Sequence, residues 1–153
     1  MSHYCFVAAD HALPELNKTG IIKLKVKDMI AQKRPAGIIP WEEMNPDGIV
    51  LFSEDPNAFG KFHVFTPKHL PYETREYIER CYITMVEGNH DEQWRSDLVD
   101  YVLEQAEAGP VEVWSIWFGD GKQPITERTL TRAELPTADT AFLSERNYRL
   151  TVS

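Results

Sequence analysis

Residues 81–118 read CYITMVEGNHDEQWRSDLVDYVLEQAEAGPVEVWSIWF, and they set the architecture of this chain. The first six residues are rich in β-branched and aromatic side chains, as a strand is. A helix follows over 90–108, with Asn89 placed to cap it. Asp91 and Glu92 suit the positive end of the helix dipole. Gly109 and Pro110 are stop signals, because glycine accepts the left-handed cap and proline cannot continue a helix. Residues 111–118 then alternate as a strand. Strand, helix and strand joined this tightly form a βαβ unit, whose two strands run parallel with a right-handed crossover.

Outward from this unit the chain is punctuated by turns. Residues 4–9 read as a strand, and 10–20 as a loop containing Pro14, Asn17 and Gly20. Ile22, Leu24 and Val26 alternate with Lys23, Lys25 and Lys27, the period of a strand with a lysine face. A short helix is expected over 28–33, before Pro35. Residues 49–52 and 62–65 are short apolar runs, expected to pair across a wide hairpin loop. Residues 77–86 read as a strand, clearest from Cys81 onward, with a helix over 73–80 as the alternative. Beyond Gly119-Asp-Gly121, strands are expected at 125–130 and 147–152. Thr131-Arg-Ala-Glu134 fits a capping box, and 137–144 a short helix. The expected fold is therefore α+β. It is a single domain over 1–153, with a mixed, mostly antiparallel sheet, one βαβ crossover and one long helix packed on a face.

The long helix carries an unusual charge pattern. At about 100° per residue, Trp94, Leu98, Tyr101, Val102 and Gln105 share one side, and Val99, Leu103 and Ala106 widen the apolar arc. Asp97, Asp100, Glu104 and Glu107 fall together in the remaining sector. Asp100 and Glu104 repel at i,i+4, and the last acids sit at the negative end of the dipole. A ridge that works against its own helix reads either as a solvated face or as a docking surface for a basic partner.

In residues 111–118, Val111, Val113, Ser115 and Trp117 point one way, and Glu112, Trp114, Ile116 and Phe118 the other. Both faces are mainly apolar, as in a central strand. One long helix is too little cover for two faces. Trp114, Trp117 and the loop residue Trp41 are therefore candidates for a pocket or an interface.

Composition narrows the function classes. Among 153 residues, 24 acids stand against 16 bases for a net charge of −8. Such a surface repels phosphate backbones and anionic membranes, so neither nucleic acid nor membrane is an expected partner. The first forty residues hold six bases and three acids, a local +3, so the remainder is −11. Lysines on an edge strand discourage sheet-to-sheet pairing; phosphate binding or self-association against the acidic ridge is the sharper alternative. The start of the chain lacks a basic leader, and no apolar run reaches membrane-spanning length. Cys5 and Cys81 are read as reduced thiols in buried strands, and the chain as cytoplasmic.

The five histidines form no H-E-x-x-H pattern, and there is no paired C-x-x-C motif, serine elbow or P-loop. No catalytic, metal or cofactor residues are assigned, and no cofactor is expected. His90 is read as a first-turn helix residue. The leading expectation is a small acidic protein-binding module engaging a basic partner. One form of it is an inhibitor of the immunity type, by analogy with charge complementarity alone. The alternative is an enzyme with a small-molecule pocket beside residues 111–118, and a homodimer through the surplus aromatics is a third reading.

Overall fold

The computed structural model describes residues 2–141 and 147–153. In chain order its elements are β1 (Ser2–Ala9), β2 (Leu16–Asn17), β3 (Ile22–Lys25), α1 (Val26–Ala31), β4 (Ile49–Phe52), β5 (His63–Phe65), β6 (Tyr82–Glu87), α2 (Glu92–Gln105), β7 (Val111–Phe118), β8 (Thr126–Leu130) and β9 (Tyr148–Val152). By their internal contacts the residues form two compact units, Met1–Lys18 with Gly60–Ser153, and Thr19–Phe59.

The larger unit is a seven-stranded sheet in the order β2-β5-β6-β1-β7-β9-β8, with α2 packed on one face. Neighbours are antiparallel except β8 and β9. The expected βαβ unit is present in split form. β6 and β7 each pair antiparallel with β1, so they are parallel to one another with β1 inserted between them.

Alternation along β1 and β7 sorts the core into two layers. Cys5, Val7, Val111, Val113 and Leu150 face α2, where Trp94, Leu98, Tyr101 and Val102 are buried against them. Phe6, Ala8, Trp114, Ile116 and Phe118 fill the opposite layer with Tyr77 and Ile78. The second face is thus closed by the irregular segment ahead of β6. That segment holds a single 3₁₀ turn, Thr74–Glu76, in place of a strand from 77 or a helix over 73–80.

Several boundaries differ from expectation. Asp91, not Asn89, caps α2: its Oδ1 accepts Trp94 N–H at 2.8 Å, while Asn89 Oδ1 accepts Asp91 N–H at 3.2 Å. His90 precedes the cap in the left-handed region at φ 58°, so it is not a first-turn residue. The expected hairpin between 49–52 and 62–65 does not form. β4 pairs with β3, whereas β5 pairs with β2 and β6. The Thr131 capping box closes in both directions, Thr131 N–H to Glu134 Oε1 and Glu134 N–H to Thr131 Oγ1. Of the helix expected over 137–144, Thr137 closes the 3₁₀ turn Leu135–Thr137, residues 138–140 are not helical, Ala141 is in 3₁₀ conformation, and 142–146 lie outside the described residues.

The smaller unit is the two-stranded β3–β4 sheet with α1 and a 3₁₀ turn at Trp41–Glu43. The lysine strand ends at Lys25, and Lys27 already belongs to α1, 3.6 Å from Asp47. Arg34 lies 4.3 Å over the Phe52 ring and accepts Trp41 Nε1–H through its carbonyl. No helix among the described residues is long and apolar enough to cross a membrane.

Candidate functional site

The acidic ridge of α2 is real but shorter than its sequence pattern. Asp100, Glu104 and Glu107 are exposed. They make no ion pair among the described residues. Asp97 does not belong with them. It is 7% exposed, accepts Lys18 Nζ at 2.8 Å, and accepts Gln93 Nε2 at 3.1 Å. On the helical wheel Asp97 is the acid nearest the buried arc, about 40° from Tyr101 and about 60° from Trp94. A carboxylate at that border is desolvated and needs a cation, which the chain supplies from just after β2.

The three tryptophans singled out from sequence lie in different settings. Trp41 belongs to the smaller unit, half-buried, with its indole N–H spent on the Arg34 carbonyl. Trp114 is 2% exposed and packs in the second core layer. Its Nε1–H donates to Glu112 Oε1 at 3.0 Å, and Glu112 Oε2 accepts Arg80 Nε at 3.1 Å. Arg80 Nη1 also reaches Asp10 Oδ2 at 2.6 Å. The Arg149 guanidinium lies 5.5 Å over the Trp114 ring and bonds Glu127. Asp10, Arg80, Glu112, Trp114 and Arg149 border a recess of about 430 Å³.

Charge in this recess is largely compensated from within. Hydrogen bonds from Arg80 hold the Asp10 carboxyl below its ordinary range, and Asp10 and Glu112 in turn raise the Arg80 pKa. The network ties the end of β1 and the start of β6 to β7, which is a structural task. The sequence did carry its signal. Glu112 is the sole ionisable residue in 111–118, and a charge in a doubly covered strand requires a buried partner.

Trp117 is half-buried on the other side of β7, at a second recess of about 340 Å³ shared with His3, Asn89 and His90. His3 stacks on Trp117 with ring centroids 4.7 Å apart, and His90 stacks on Trp94 at 4.0 Å. The two imidazoles meet edge to face at 5.6 Å. His3 Nε2 lies 2.7 Å from the buried Ser115 Oγ. Burial, with His3 and Arg95 adding repulsion, pushes the His90 pKa down to about 4, and burial lowers that of His3. Both rings are therefore neutral at pH 7, each with one nitrogen able to accept a proton. Sequence reasoning missed this pair because the two residues are remote in the chain and meet only through the β1–β7 ladder and the turn before α2.

Cys5 is buried in β1, where burial pushes its thiol up to about 12. Cys81 lies ahead of β6 and is exposed, contrary to the expected buried strand position. Among the described residues no three His, Cys, Asp or Glu gather as metal ligands. Comparison with protein-family models, curated proteins and solved structures finds no match to the chain.

Proposed function

We propose that the chain is a small acidic protein-binding module that presents α2 to a basic partner. The supporting observation is that Asp100, Glu104 and Glu107 stay exposed and uncompensated among the described residues, while the fourth acid, Asp97, has its own lysine. Asp100 and Glu104 repel at i,i+4, and Glu104 with Glu107 just past the helix end sits at the negative end of the dipole, which disfavours these acids in the free molecule. Cations of a partner would relieve both and speed encounter. An inhibitor of the immunity type is one form of this reading. Two free thiols fit the reducing cytoplasm, where we place the protein. A homodimer is not required by the reading.

The test is affinity capture with the wild-type chain and the variant D100K/E104K/E107K, at low and high salt. A partner captured by wild type, released by salt and lost on charge reversal is expected. Capture of the same proteins by both baits would overturn the reading.

A second reading, an enzyme acting on a small molecule beside residues 111–118, is favoured by the neutral pair His3 and His90 at the Trp117 recess. Their burial favours the neutral imidazole, the form that can accept a proton from a substrate. Substrate turnover unaffected in the H3Q/H90Q variant would remove that reading.

A further inference from the structure

A concavity with a charge of its own lies at the end of β5. Pro67 has no N–H to continue the ladder, and Thr66 N–H is taken by Glu15 Oε2 at 3.0 Å. β5 therefore pairs with β6 only as far as Phe65↔Met85. Tyr82, Ile83 and Thr84 keep β1 on one side and, among the described residues, have no strand on the other. Beside this open edge is a recess of about 520 Å³.

The fixed charges of its lining are the cations Lys68 and Arg75, while the carboxylates that bond its backbone, Glu15 on Thr66 N–H and Asp10 on Cys81 N–H, are not among the lining residues. Lys68, His69 and Arg75 contribute to the wall, and no Asp or Glu does, in a chain with 24 acids and 16 bases. Lys68 makes no ion pair among the described residues. Arg75 spends two donors on the carbonyls of Arg80 and Cys81, which fix its planar head without neutralising it. An arginine held this way loses little entropy on binding an anion, and it keeps further N–H donors to offer. Leu13 and Leu70 add apolar wall.

We propose that this recess binds a small organic anion, with its carboxylate or phosphate group on Arg75 and Lys68 and its apolar body against Leu13 and Leu70. The site is separate from the α2 ridge and does not depend on it. Cys81 is exposed in the same lining and supplies a built-in reporter, since Cys5 is buried.

The test follows iodoacetamide alkylation of Cys81 in the full chain, with benzoate, phenyl phosphate or neutral benzamide added. Saturable protection by one or both anions and none by benzamide is expected, and the preferred anion separates carboxylate from phosphate. Lys68→Gln, at an exposed residue with no structural bond, should weaken protection about threefold to tenfold while the Tm holds. Arg75→Gln should weaken it further. Equal protection by benzamide, no protection at all, or protection unchanged in both variants would overturn the proposal.

Discussion

Gly88→Ala should be among the most damaging single changes at the α2 entry. Gly88 has φ 143°, a conformation that L side chains rarely adopt. A Cβ there would sit 2.1 Å from Trp94 Cδ1 and 2.3 Å from Nε1. The indole cannot simply yield. It is 1% exposed, donates Nε1–H to Glu87 O at 2.7 Å, and is stacked by His90. Backbone strain costs about 1–3 kcal/mol and overpacking about 1–3 kcal/mol, so a loss of about 4 kcal/mol is expected. For a chain of this size that lowers the Tm by about 8–16 °C. Gly121→Ala is the control: it shares a positive φ, 74°, but has nothing within 4 Å of the added carbon, so it reports backbone strain alone. Urea unfolding followed by tryptophan fluorescence measures both. If Gly88→Ala costs no more than Gly121→Ala, the tight Gly88–Trp94 contact is wrong.

Three further outcomes are expected. His90 has a folded pKa near 4 against 6.5 for the free side chain, so the unfolded chain takes up its proton first. Stability is complete above about pH 6.5 and falls as pH drops toward 4; His90→Asn, which tolerates a positive φ, should flatten that limb of a denaturation-versus-pH curve. Tyr101 donates its hydroxyl to Pro14 O, and its pKa is pushed up to about 12 by burial, with Thr84 opposing and Glu104 adding to the rise. Its stabilising share is therefore full below about pH 10 and lost as pH rises toward 12, which phenolate absorbance together with stability above pH 10 will show. A double-mutant cycle on Lys18→Met and Asp97→Asn should give a coupling of about 1 kcal/mol, modest because Lys18 is 44% exposed. Zero coupling would return Asp97 to the exposed ridge.

Local chemistry along the chain was enough to place β7, α2, β8 and β9 closely. Each is a run whose apolar period, caps or β-branched content is complete within its own length. The same local reading located Asp100 and Glu104 of α2 and Glu107 just past its end, because a helical wheel needs only the spacing of residues. Partnership between distant segments lay beyond it. Period two says that both faces of β7 are apolar, but not that residues 70–78 close one of them. Asp97 differs from Asp100 only by about 60° of rotation and by the arrival of Lys18. Strand order, with β1 driven between β6 and β7, and the meetings of His3 with His90 and of Glu112 with Arg80 were settled only by the tertiary structure. Pairing depends on what lies opposite in space, and a pattern confined to one segment encodes which side must be covered without naming the cover.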